Sequence, residues 1–419
     1  MTRTVQTQTI QTVAILGGGI TGVTTAYALA RRGLDVTVYE KHRYAAMETS
    51  FANGGQLSAS NAETWTHPAT ILKGIAWMFR KDAPLLLNLS PSWHKYSWIA
   101  QFLASMPKYK TNTVATAKLA IEARAHLYGW ARDEGIDFDV ERRGIMHVYR
   151  NRHGFEHAQK VTALLAEGGL AREELSPADI ERIEPTLHGD WYGGFLTPSD
   201  ASGDIHKFTV GLAKAAARRG VKFRYGTDVI QADLVRTGGV KIRTLVDSER
   251  YDAVVVCAGC ASRMFAKQLG DRVNVYPVKG YSITVNLDDE ESRAAAPMVS
   301  LLDDETKLVS SRLGPNRFRV AGTAEFSGFN RDIRAGRTAP LVKWVETHFP
   351  AVSTEGVVPW AGLRPMMPDM MPEVGPGRAP GVFYNTGHGH LGWTLSAATA
   401  EATALAIAGP DADGVEMAA

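Results

Sequence analysis

The chain has 419 residues, 45% of them hydrophobic and 21% charged, and its 46 basic and 44 acidic side chains leave a formal net charge of +2. That balance is ordinary for a globular protein and excludes the basic footprint of a nucleic-acid-binding domain, while the length suggests roughly two or three domains. The two cysteines, Cys257 and Cys260, exclude a disulfide framework and favour a reducing, cytoplasmic compartment.

The N-terminal stretch MTRTVQTQTIQT lacks the apolar run of a signal peptide, and no stretch reaches about 18 uninterrupted apolar residues, so no membrane span is predicted. Val13 to Leu16 read as a short apolar strand. Gly17, Gly19 and Gly22 follow with G-x-G-x-x-G spacing, Ile20 to Arg32 has helical periodicity closed by Gly33, and Asp35 to Tyr39 is a second strand ending at Glu40. Each part has a mechanical reason. Gly17 allows a tight turn, Gly19 lets a pyrophosphate approach the backbone, and Gly22 lets the helix pack on the sheet. The helix N-terminus faces the phosphates, and Glu40 suits two ribose hydroxyls, which argues against NADP. The motif alone does not separate NAD from FAD.

Residues 49–60, TSFANGGQLSAS, form a small-residue loop able to lie against a flat ring, or an ordinary surface loop. From 61 to 140 the chain reads as helical and aromatic, with Trp65, Trp77, Trp93, Trp98 and Trp130. KGIAWMFRKDAPLLL mixes Trp and Phe with Lys and Arg. It suits a helical lid packed on the body or a segment resting on a membrane surface, and packing is the favoured reading.

A strand is predicted at 144–150, helices at 153–169 and 176–187 (the latter capped by Ser176), a helix from Ile205 opened by Asp204, and a strand in VKFRYGTDV. YDAVVVCAGCAS, 251–262, reads as a buried strand entering a small-residue turn. Its C-x-x-C is favoured as two small residues at a strand end rather than a thiol–disulfide site. YPVKGYSITV is a strand carrying Lys279, which is either a cation near the site or a strand-end lysine in solvent. A glycine-rich turn then enters an alanine-rich helix at 388–409. His388 and His390 have no partner ligands at metal spacing, so no metal is expected.

The stretches ILGGGITGVTTAYALARRGLDVTVYE, ETSFANGGQLSAS, YPVKGYSIT, WAGLRPMMPD and NTGHGHLGWTLS, in this order, resemble the FAD-dependent D-amino-acid oxidase-like superfamily over residues 13–396. The resemblance implies an α/β fold: a Rossmann-like FAD-binding domain assembled from discontinuous segments (10–60, 205–265 and 360–408), plus an α+β substrate domain with an antiparallel sheet and a helical lid (61–204 and 266–359). Residues 1–9 and 410–419 would be flexible tails.

FAD would be bound non-covalently, since related sarcosine oxidases use a C-terminal cysteine that this chain lacks. Gly17, Gly19, Ile20, Thr21 and Gly22 would hold it with Glu40 and Lys41. Thr49, Ser50, Asn53, Gly54, Gly55, Gln56 and Leu57 would follow the pyrophosphate and flavin, and Val229 the adenine edge. Ala258 and Gly259 complete the set with Gly387, His388, Gly389, Leu391, Gly392, Trp393 and Thr394 at the last helix. Two departures fall near the expected pocket: Met370 follows Asp369 where the family often has glycine, and His390 stands where a small or hydroxyl residue is usual.

In this superfamily an arginine at the place of Arg364 grips the substrate carboxylate, and Tyr281 would add a hydroxyl. The competing reading of Arg364 is a structural salt bridge, with Asp369 as a candidate partner. The implied reaction is oxidative deamination of a small D-amino acid such as D-alanine. A hydride passes from the α-carbon to flavin N5, and electrons go to a quinone or another respiratory-chain acceptor. A peripheral contact with the cytoplasmic face of the inner membrane stays open. So do an O₂-using oxidase, a dehydrogenase of D-hydroxyproline, glycine or sarcosine, and the flavin subunit of a hetero-oligomer.

Overall fold

Strands that are apolar on both faces must be covered on both sides, which in α/β proteins means helices packed on a parallel sheet. The computed structural model describes residues 10–68 and 85–409 and shows this arrangement. Thr12–Leu16 is the central strand of a six-stranded sheet among the described residues. The order across the sheet is Glu373–Pro376, Val382–Thr386, Ala253–Val256, Thr12–Leu16, Asp35–Tyr39, Lys222–Arg224. All neighbours are parallel except the edge strand Glu373–Pro376.

Helix Ile20–Arg31 packs between the sheet and the last helix, Gly392–Ala408, whose Ala397, Ala400 and Ala404 are fully buried beside Val23 and Leu29. Small residues there permit close helix approach. Asp204 caps the helix Ile205–Arg218 by accepting from the N–H groups of His206 and Lys207, as its sequence position predicts. Ser176 and Asp179 form a capping box on Pro177–Ile183.

The second large sheet is mixed and mostly antiparallel. Its central strands run in the order Val358–Met366, Tyr276–Asn286, Arg317–Phe326, Leu308–Arg312, Ser300–Asp303, Ile145–Tyr149, Gly193–Thr197, Glu173–Leu175. Ser300–Asp303 runs parallel to Ile145–Tyr149, and Leu85–Leu87 runs parallel to Arg317–Phe326. Helix Ala335–His348 covers one face through Leu341, Trp344 and Val345.

Two expected boundaries move. The resemblance assigns the strand carrying Arg364, from residue 360 on, to the dinucleotide unit, but it is hydrogen-bonded to Tyr276–Asn286 in the second sheet. The long helix Tyr109–Asp133, expected in the substrate unit, buries Leu127 and Trp130 against the first and last helices. Trp98 is also core, donating its indole N–H to the Met366 carbonyl at 2.8 Å, whereas Trp93 is exposed. Most of the aromatic, basic stretch around Trp77 lies outside the described residues, as do 1–9 and 410–419. Among the described residues no helix is long and apolar enough to cross a membrane.

Candidate active site

A cleft opens beyond the C-terminal ends of Thr12–Leu16, Asp35–Tyr39 and Ala253–Val256, the place where an open parallel sheet reverses its strand order. It holds about 1610 Å³ of empty space, part of it open to solvent. At its entrance Gly17 adopts φ +109°, and a Cβ there would lie 2.6 Å from the Cys257 carbonyl oxygen. At Gly19 a Cβ would meet nothing nearer than Ser50 Oγ at 3.6 Å, so the backbone is open to the cleft. Gly22 does not line it; a Cβ there would overlap the Gly17 carbonyl, which is the close helix packing expected of the third glycine. Ile20 and Thr21 line the wall, and the Ile20 N–H donates to Ser50 Oγ at 3.1 Å.

Glu40 closes one end. Its two oxygens accept the Gly18 N–H and the His42 N–H, both at 2.8 Å, and each keeps a lone pair for a hydroxyl. Lys41 and Val229 lie at the same end. Beside them, burial works against ionisation of Glu48, but hydrogen bonds from Arg331, His42 and Lys41 outweigh it and hold its carboxyl down at about 2. The Arg331–Glu48 pair at 2.6 Å joins residues 327–334 to the cleft wall.

The structure divides the loop 49–57. Thr49, Ser50 and Asn53 line the cleft, whereas Gly54, Gly55, Gln56 and Leu57 do not. The latter clamp the loop onto the second sheet. The Gly54 carbonyl accepts from Ser311 Oγ, the Gly55 carbonyl from the Gly203 N–H, and Gln56 Nε2 donates to Ser300 Oγ and the Leu301 carbonyl. Ala258 and Gly259 form the facing wall. At the far end stand Gly387, His388, Gly389, Gly392 and Trp393, while Leu391 and Thr394 point into the core.

Arg364 sits at that far end, half-buried, with its Nη1 donating to the Thr323 carbonyl at 2.8 Å. Among the described residues no carboxylate lies within ion-pair distance of it. Asp369, the expected structural partner, accepts from the Met371 N–H instead. Burial alone lowers the guanidinium to about 10. Beside it, His390 donates Nε2–H to the Asn61 carbonyl at 3.2 Å and stacks on Trp65 at 5.1 Å. Burial, with help from the Arg364 charge, lowers His390 to about 4, so its ring is neutral and Nδ1 is an acceptor without a partner among the described residues.

Tyr281 is not brought to the cleft, which corrects its reading as a substrate contact. It is fully buried and its hydroxyl donates to Glu325 at 3.0 Å. Side chains alternate along a strand, so Tyr281 and Lys279 share the face opposite to Gly280, over which Arg364 lies. Lys279 follows neither expectation: it is wholly buried, donating to Asn330 Oδ1 at 2.6 Å and standing 3.6 Å from Glu325.

Residues 12–406 match the family described as FAD dependent oxidoreductase. The chain belongs to this family. It is 58% identical over 403 residues to D-amino acid dehydrogenase 3 of Mesorhizobium japonicum, covering 94% of this chain and 97% of the relative. It is 40% identical to D-amino acid dehydrogenase of Paramagnetospirillum magneticum, with 95% of each covered. Among solved structures, glycine oxidase from Geobacillus kaustophilus superposes with a TM-score of 0.75 at 21% identity, covering 94% of each chain. L-proline dehydrogenase from P. horikoshii gives 0.74 at 14% identity, covering 95% of this chain and 93% of that one. These two likenesses establish the fold.

FAD is the cofactor of this oxidoreductase, and the cleft fits it. The open backbone at Gly17 and Gly19 would suit a pyrophosphate, and the lone pairs left on Glu40 would suit a ribose. Three buried polar atoms without partners among the described residues, on His388, His390 and Trp393, all belong to cleft-lining residues. The sequence reading missed several wall residues, among them Thr227, Asp228, Glu48, Phe329 and Arg331. The stretch 327–334 carries no motif, so only the fold brings Phe329 and Arg331 to the site. Met370, one of the two departures, holds φ +67°, a conformation natural to the glycine the family often has there.

Proposed function

We propose that this oxidoreductase converts small D-amino acids, such as D-alanine, to 2-oxo acids and ammonia, and passes the electrons to a quinone or another respiratory-chain acceptor. The observation that carries the reading is Arg364: a half-buried guanidinium at the flavin end of the cleft, held by carbonyl groups and lacking any carboxylate of its own among the described residues. A substrate carboxylate is its natural counter-ion, gripped at two points. The names of the sequence relatives support the D configuration and the dehydrogenase type.

FAD, when bound, supplies the acceptor for the hydride leaving the α-carbon. The chain's own residues bind and orient. Arg364 fixes the carboxylate, and neutral His390 offers an acceptor to the amino group. Burial lowers His388 to about 3 and raises the Cys260 thiol to about 12. The amine is therefore required in its neutral form without a protein base. The unreactive Cys260 also supports non-covalent FAD. The six-stranded unit binds the cofactor and the second sheet carries the substrate end, at the cytoplasmic side of the cell or on the membrane's cytoplasmic face.

The test is turnover of D-alanine with an artificial electron acceptor. Stoichiometric pyruvate and ammonia without hydrogen peroxide is the expected result. Hydrogen peroxide in step with pyruvate would make the protein an oxidase. Turnover of glycine or sarcosine in preference to D-alanine would change the substrate.

A further inference from the structure

Arg364 reaches its carbonyl partners by crossing a whole strand. It projects from Val358–Met366, passes over Tyr276–Asn286 and ends on Arg317–Phe326, where Nη1 meets the Thr323 carbonyl at 2.8 Å and Nη2 the Gly322 carbonyl at 3.5 Å. The crossing point is Gly280. A Cβ built there would overlap Cζ, Nη1 and Nη2 of Arg364 together. Gly280 pairs across the ladder with Gly362, whose own missing Cβ leaves room for the Trp360 ring. Gly280 is thus the flat floor on which the planar guanidinium lies, while its partner Gly362 carries the Trp360 ring.

The far anchor is a β-bulge. Lys279 pairs with Glu325 and Tyr281 with Gly322, so one extra residue is inserted opposite Gly280. Within it Thr323 holds φ +60°, a conformation that a β-branched residue rarely takes. Among the described residues the Thr323 hydroxyl has no hydrogen-bond partner, so its side chain gives nothing back for that backbone. What the bulge delivers is a carbonyl aimed at Arg364.

We propose that Gly280 and the Thr323 bulge are positioning devices for substrate recognition: together they fix the Arg364 guanidinium flat, its remaining N–H groups free for the carboxylate of a D-amino acid. The proposal rests on the reading of Arg364 as carboxylate receiver, and the experiment separates the two.

Steady-state kinetics with D-alanine are measured for Arg364→Ala, Gly280→Ala, Arg364→Lys, the double variant Gly280→Ala/Arg364→Lys, and Thr323→Gly, each checked for FAD content. Gly280→Ala is expected to raise KM about tenfold or more with kcat within about threefold. In the Arg364→Lys background the same alanine should change KM less than about twofold, because a thin ammonium chain does not need the floor. Thr323→Gly accepts φ +60° and keeps the carbonyl, so KM should stay within about twofold of the parent.

Equal effects of Gly280→Ala in both backgrounds would overturn the proposal, as would an unchanged KM. If Gly280→Ala fails to fold, a tenfold rise in KM for Thr323→Gly would overturn it alone, since the side chain rather than the carbonyl would then matter. If Arg364→Ala raises KM and Gly280→Ala does not, only this proposal falls. If Arg364→Ala leaves KM unchanged, the reading of Arg364 falls and takes this role of the floor with it.

Discussion

Lys279 and Arg364 are cations on neighbouring strands of one sheet, set on opposite faces, and the fold treats them differently. Lys279 is fully buried and surrounded by compensation. Asn330 and the Asp332 carbonyl accept from it, Glu325 stands 3.6 Å away, and Arg334 and Tyr281 complete the same carboxylate. Burial pushes its ammonium down, and Glu325 partly offsets this. The network ties residues 330–334 to the sheet and so holds the cleft wall. Among the described residues Arg364 meets only carbonyl dipoles. A buried charge without a counter-ion is costly, and a fold keeps one where a ligand completes it. Compensation marks architecture; its absence at a cleft marks recognition.

The comparison can be broken at either cation. The largest expected effect is Arg364→Ala, which should raise KM for D-alanine by about 10²- to 10³-fold, the cost of removing one partner of a close charge pair. FAD content and thermal stability should hold, because among the described residues Arg364 makes no ion pair that the change would remove. A large fall in Tm would show that Arg364 is structural. Glu325→Ala should do the reverse. It leaves Lys279 and Arg334 without their carboxylate and should cost about 3 kcal/mol of stability in denaturant melts, with KM little changed. Adding Lys279→Met to that variant should recover part of the loss, since the uncompensated ammonium is then gone.

A smaller effect lies in pH. His388 and His390 are neutral in the fold, held down at about 3 and about 4 by burial, whereas an unfolded histidine titrates near ~6.5. The unfolded state therefore binds protons first as pH falls. The stability from these two rings is complete above about 6.5 and is lost as pH drops toward 4. Melts between those values should show this decline, and His388→Asn should flatten it. The same shift predicts that kcat/KM carries no His390 inflection between about pH 5 and 8, only the rise belonging to the substrate amine. The smallest effect is at Cys260. Its thiol is raised to about 12 by burial and donates to the Leu363 carbonyl, so Cys260→Ser should leave FAD binding and KM unchanged.

What was legible in the sequence was local. Gly17, Gly19 and Glu40 could be read because turn sterics and a helix N-terminus lie within thirty residues of chain, and Asp204 and Ser176 because a cap is a property of one helix end. What was not legible depended on register between distant strands. Tyr281 and Gly280 differ by one position, and only the pairing with 358–366 decides which of them meets the cleft. The glycine inside KGYS is itself a signal of close approach, since a strand-interior glycine marks a place where another group comes near the backbone. In the loop 49–60 the small residues fit ring contact or an ordinary surface loop, but Gly54 and Gly55 are small because Val309 and the Gly203 carbonyl crowd them.

The central claim is that a D-amino-acid carboxylate completes the charge of Arg364. It is tested most directly by mixing the FAD-loaded protein anaerobically with D-alanine and, separately, L-alanine, and following the visible absorbance of the flavin in the parent and in Arg364→Ala. The account predicts bleaching by the D enantiomer alone, with the concentration for half-maximal rate moved up by about 10²-fold or more in the variant. Equal bleaching by both enantiomers, or an unmoved concentration dependence, would contradict it.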